Sequence, residues 1–156
     1  MTAPDTTADN APIRPNREVR RRLKKSEFRA QCAEKLGVDL AYDIEFDNGF
    51  VLTVDSPLFE PDDTAERIAI VQRNEDLDRD EDGKIKEPQT ITVDGVTTPA
   101  PAQQIRLARA IVGESVHEQL LANGGTSSDV MLAYRRLAEE RPNVDADPKS
   151  PEPSAS

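Results

Sequence analysis

Pro101–Glu140 reads PAQQIRLARAIVGESVHEQLLANGGTSSDVMLAYRRLAEE, and its helical punctuation decides the fold. Ile105, Ala108, Val112, Val116 and Leu120 recur at three- or four-residue steps, which places them on one helix face. Gly113 breaks that pattern into two helices. Asn123, Gly124 and Gly125 supply a left-handed C-cap, and Thr126 with Asp129 forms a capping box for the next helix. Val130, Ala133, Tyr134 and Leu137 give that last helix its own apolar stripe, ended by Pro142. The stretch reads as a surface made to pack, on itself or on another protein.

Upstream, residues 42–54 (YDIEFDNGFVLTV) alternate apolar and polar around Asn48-Gly49, which predicts a β-hairpin with a type I′ turn. Ser26 reads as the N-cap of a helix that runs through Leu36 to Gly37, with Phe28, Cys32 and Leu36 on its inner face. A second helix is expected over Thr64 to Glu75, capped by Asp63 and Glu66 and turning Ala65, Ile68 and Val71 inward. Ile91–Val96 reads as a short strand with a turn at Asp94-Gly95. The expected fold class is α+β, mostly α: a β-hairpin packed on a small helical domain. Residues 1–25 read as a disordered basic arm, 26–141 as the single domain, and 142–156 as a disordered tail.

Composition sets limits on this plan. Apolar residues make up 36% and aromatic ones 4%, so any core is small. The charge is segregated. Residues 1–38 hold nine Lys and Arg against five Asp and Glu, whereas residues 39–95 hold five against seventeen. A basic arm joined to an acidic middle suits self-association or charged protein partners. The net charge of −10 argues against a general nucleic-acid binder, although the arm itself (Arg17, Arg20, Arg21, Arg22, Lys24, Lys25) is the place for such a contact. With Cys32 as the lone cysteine, neither an intrachain disulfide nor a Cys-rich zinc site is possible. No apolar run reaches membrane-spanning length, and the first residues lack the pattern of a secretory signal. A reducing cytoplasm is the expected location.

Within the acidic loop 76–90, Asp78, Asp80 and Asp82 alternate and Gly83 follows, as in the first half of a calcium-binding EF-hand loop. The second half departs from it. Gln89 stands where a bidentate Glu belongs, and TITVDGVT reads as strand and turn rather than an exiting helix. The three aspartates are calcium candidates on a loop otherwise read as solvated. His117 is expected on a helix surface or an interface, Ser127 and Ser128 read as helix-start residues, and the Gly124-Gly125 pair lacks the Lys of a phosphate loop. No catalytic residue, cofactor or metal is expected, and the chain reads as a non-enzyme.

The order of elements, together with Gly113-Glu114, Leu120-Leu121, Gly124 and Ala133-Tyr134, resembles the tail assembly chaperones of long-tailed (siphovirus-type) bacteriophages of actinobacteria. The likeness covers roughly residues 26–140, with the acidic segment and the long N-terminal arm as departures. It implies a factor of the host bacterial cytoplasm that is not retained in the mature virion. Such a factor oligomerises on the tape measure protein, keeps it soluble and promotes assembly of the tail tube protein around it. It also implies a longer form made by ribosomal frameshifting. Asp147-Pro148-Lys149 can be encoded GAC-CCA-AAG, which holds a slippery pattern. Leu120, Leu121, Val130, Tyr134 and Leu137 are then candidate client contacts or core. The competing readings are a small virion structural or connector protein that adds its hairpin to a neighbour's sheet, and a regulatory binder using the basic arm on nucleic acid.

Overall fold

The computed structural model describes residues 20–140. The disorder expected of the outermost N-terminal residues and of the tail lies outside the described residues. The order is α1 (Lys25–Leu36), β1 (Ala41–Glu45), β2 (Val51–Asp55), α2 (Asp62–Gln72), β3 (Thr90–Val93), β4 (Val96–Pro99), α3 (Gln103–Val112), α4 (Glu114–Ala122) and α5 (Ser127–Glu139). The architecture is α+β, mostly α, with two separate antiparallel hairpins.

α3 is the hub. It packs on α2, α4, α5 and β2, and Ala108 and Ala110 are both buried. Their small side chains let neighbouring elements approach closely. The core gathers Leu52 and Val54 from β2, Ile68 and Val71 from α2, and Ile111 from α3. Leu120 of α4 and Val130, Ala133 and Leu137 of α5 complete it. Each fully buried Leu or Val is worth on the order of 2 kcal/mol. The expected stripe along α3 and α4 is only partly right. Val112 and Val116 pack against the core, but Ile105 is exposed. Gly113, at φ 91° and ψ 155°, separates α3 from α4, yet Val116 and Leu120 of α4 still meet the same core.

The expected helix ends are mostly found. Gly124 has φ 89°. The Gly125 N–H donates to the Leu120 carbonyl and the Gly124 N–H to that of Leu121, a Schellman closure. Asp129 accepts the Thr126 N–H at 2.8 Å, as the capping box requires. Gly37 closes α1 with φ 75°. α1 starts before Ser26, however, because Glu27 reaches back to accept the Lys24 N–H at 3.2 Å. Its expected inner face is also wrong. Phe28 is exposed and Ala33 is the buried residue, since α1 lies at the edge of the domain rather than on its core. In α2, Thr64 takes the inward place expected for Ala65, and neither Asp63 nor Glu66 caps, the N-cap being Pro61.

The first hairpin lacks the type I′ turn expected of it. Tyr42 pairs with Val54 and Ile44 with Leu52, so the first has the single apolar face expected. Its loop has three residues. Phe46 and Phe50 pair, Gly49 alone has positive φ, and Asn48 does not. A type I′ turn needs positive φ at both central residues. That turn lies instead at Asp94-Gly95, with φ 52° and 81°, between β3 and β4.

Candidate functional site

The acidic segment 76–90 is expected as a solvated loop but is ordered by its own carboxylates. Asp78 accepts the Thr90 and Thr92 hydroxyls at 2.7 and 2.8 Å, and its backbone N–H donates to the Thr90 carbonyl. These hydroxyls, Thr90 first, hold the Asp78 carboxyl below its usual range against the opposing effect of desolvation. Asp80 accepts the backbone N–H groups of Asp82 and Lys84, both at 2.9 Å. Arg79 bridges to Ile85 in strand fashion. Asp78 and Asp80 thus fold the loop as hydrogen-bond acceptors, and Asp82 contributes only its N–H. Among the described residues, no three His, Cys, Asp or Glu side chains gather in a metal-binding group.

This ordered segment is tied to the hub by a buried arginine that periodicity does not reveal. Arg106 of α3 is 5% exposed. Its Nη1 donates to both Asp76 oxygens at 2.7 and 2.8 Å, its Nε to the Pro101 carbonyl at 3.0 Å, and its Nη2 to Asn74 Oδ1 at 3.2 Å. Every nitrogen of the guanidinium is used, which makes burial of the charge tolerable. The only sign of it in the sequence is an arginine set between Ile105 and Leu107 on a packed helix.

Between α2, α3 and the second hairpin, this arrangement leaves an open cleft of about 620 Å³. Ile70, Val71, Leu77, Ala110, Ile91 and Val93 give it an apolar lining, and Glu75, Arg109 and Glu114 stand among the charges around it. Val93 is 60% exposed. Arg67 is held by the Ala110 carbonyl and the Thr64 hydroxyl, so it serves as a wall. Arg109 makes no ion pair among the described residues. An apolar trough with charged edges suits one face of an amphipathic helix.

The residues singled out from sequence mostly lie elsewhere. Leu120, Val130 and Leu137 are at most 2% exposed and belong to the core. Tyr134 packs against that core and donates its hydroxyl to Glu60 at 2.8 Å, and burial raises its pKa first, followed by that bond. Leu121 alone of the five is well exposed, at 51%. For these five, periodicity marked apolar positions without separating the buried ones from Leu121, which stays free for a partner.

His117, expected on a helix surface or an interface, is buried at 2% exposed, facing its own chain. Its Nε2 lies 2.8 Å from Ser127 Oγ and ties α4 to the start of α5. Desolvation, then the charge of Arg109, holds its pKa below the ordinary value, with Glu118 opposing. A Ser–His contact has nucleophile–base geometry. Neither residue lines the cleft, and the buried ring acts as an inter-helix tie.

Cys32 is a free, half-buried thiol. No described helix is long and apolar enough to cross a membrane. Compared with protein-family models, curated proteins and solved structures, the chain gives no match.

Proposed function

We propose that this chain is a bacteriophage tail assembly chaperone that binds a helical segment of the tape measure protein and promotes assembly of tail tube subunits around it. The observation that carries the reading is the cleft between α2, α3 and the second hairpin, with its apolar lining and charged edge. A long helical client presents an apolar stripe every turn, and this trough matches one such stripe. The order of elements and the paired residues in the 101–140 stretch support the same reading.

The open edge of the first hairpin supports a second reading, a small virion structural protein that shares this hairpin with a neighbour. Mass spectrometry on cells expressing the native gene with its downstream frame separates the two. A longer product sharing this N-terminus but departing near Lys149 supports the chaperone. The 156-residue form alone, present stoichiometrically in purified particles, overturns it in favour of the structural protein.

A further inference from the structure

The two hairpins treat their outer edges differently. In the second, β3 is sealed by Asp78, whose N–H donates to Thr90, and β4 is blunted by Pro99. In the first, the Ser56 N–H bonds Leu40 and the Phe46 N–H bonds Phe50, so the even-numbered residues of β1 face β2. Antiparallel alternation then turns the backbone groups of Asp39, Ala41, Asp43 and Glu45 outward. Glu140 takes the Asp39 N–H at 2.8 Å. Ala41, Asp43 and Glu45 have no backbone partner on that edge among the described residues.

A groove of about 470 Å³ runs under this edge, lined by Tyr42 and Ile44 of β1 and by Asp129, Leu132, Ala133 and Arg136 of α5. Leu132 is 65% exposed. The opposite face of β1 carries Asp43 and Glu45, both exposed. A strand added here needs, on its inner side, an apolar residue over Leu132 and a cation at Asp129, and positive charge on its outer side. Pairing β1 with β1 of another copy would set acid against acid.

We propose that Arg20–Lys24 of a second copy of this chain adds to β1 as an antiparallel strand. Residues 20–24 are exposed, and Lys24 has extended dihedrals, φ −71° and ψ 152°. In extended form Arg20, Arg22 and Lys24 share one side, over Asp43 and Glu45, while Arg21 and Leu23 share the other. Gly125 lies against Phe46, and Glu140 lies at Asp39, so Asp129 sits towards the hairpin tip and Arg136 towards its base. The antiparallel direction therefore brings Arg21 to the Asp129 end and Leu23 over Leu132. The arm of the same copy starts on the other side. Its Lys25, Ser26 and Arg29 lie with Asp55, at the end of β2. This contact does not rest on the chaperone reading.

The test is light scattering on the full chain, with hydrogen exchange read at the Ala41, Asp43 and Glu45 amides. The wild type should associate and protect these amides. Asp43→Lys with Glu45→Lys, and separately Arg20→Glu with Arg22→Glu, should each weaken association at least tenfold. The melting temperature should hold in the second pair and fall slightly in the first, which gives up the exposed Thr53–Asp43 hydrogen bond. Mixing the two charge-reversed chains should restore a pair. A monomeric wild type with unprotected amides overturns the proposal and leaves the edge for a foreign strand. A monomeric wild type with protected amides overturns it in favour of the arm of the same copy. Association that survives both double variants also overturns it.

Discussion

The Arg106 Nη1 stands 2.7 and 2.8 Å from the two oxygens of Asp76, joining the hub helix to the acidic segment through an almost fully buried guanidinium. Removing Asp76 leaves that cation without its counter-charge. Asp76→Ala is expected to lower unfolding free energy by about 3 kcal/mol. Arg106→Met, which removes the charge and keeps the volume, should cost less. Urea denaturation of both variants measures the difference, and equal losses would show that packing rather than charge governs the site.

His117 should make stability depend on pH. Its folded-state pKa lies below the ordinary 6.5 because the ring is buried and Arg109 is near. The unfolded chain therefore binds the proton first. The stabilising contribution is present above about pH 6.5 and is lost as pH falls through the depressed folded value. Urea midpoints should decline from about pH 7 to about pH 5, and His117→Gln should flatten that part of the curve. An unchanged slope in the variant would assign it to other groups.

Gly125 is required by the space around it. A Cβ there would collide with Leu120 Cδ1 and the ring of Phe46. Leu120 is itself fully buried. Gly125→Ala should destabilise by about 1–3 kcal/mol through overpacking. Gly124→Ala should also destabilise, for a different reason: no atom lies within 4 Å of its Cβ position, but its φ is 89°. Adding Phe46→Leu should recover part of the Gly125 loss and none of the Gly124 loss.

The cleft gives the proposed client contact a direct test. Val93 is 60% exposed, so Val93→Asp should leave stability within about 0.5 kcal/mol of the wild type. The same change should weaken binding of tape measure segments at least tenfold, as measured by calorimetry. Leu121→Asp lies outside the cleft lining and serves as the comparison. Equal effects from the two would place the contact elsewhere.

Calcium at millimolar concentration should leave the melting temperature unchanged, since Asp78 and Asp80 already accept hydrogen bonds from Thr90, Thr92, Asp82 and Lys84. A calcium-dependent rise would mean that these bonds give way to the ion.

The sequence by itself determined the helices, the first hairpin and several helix ends, because those depend on neighbours a few residues apart. The second hairpin it showed only as one strand over Ile91–Val96, and β4 (Val96–Pro99) went unread. The break at Gly113, the Gly124 closure, the Thr126–Asp129 cap and the alternation of Tyr42 and Ile44 with Leu52 and Val54 are all local. Turn type was less legible. Asn48-Gly49 and Asp94-Gly95 carry the same signal, and the choice between a three-residue and a two-residue loop depends on the register that packing imposes.

Only the tertiary structure decided which side chains are spent on the core and which stay free. Leu120, Val130 and Leu137 carry the same periodic signal whether they meet their own chain or a client. Arg106 and His117 look like surface residues until Asp76 and Ser127, distant in sequence, arrive to satisfy them. The cleft beside α3 and the open edge of β1 come from how helices and hairpins stop short of one another. No spacing along the chain encodes that gap, because it is set by the packing of segments far apart in sequence.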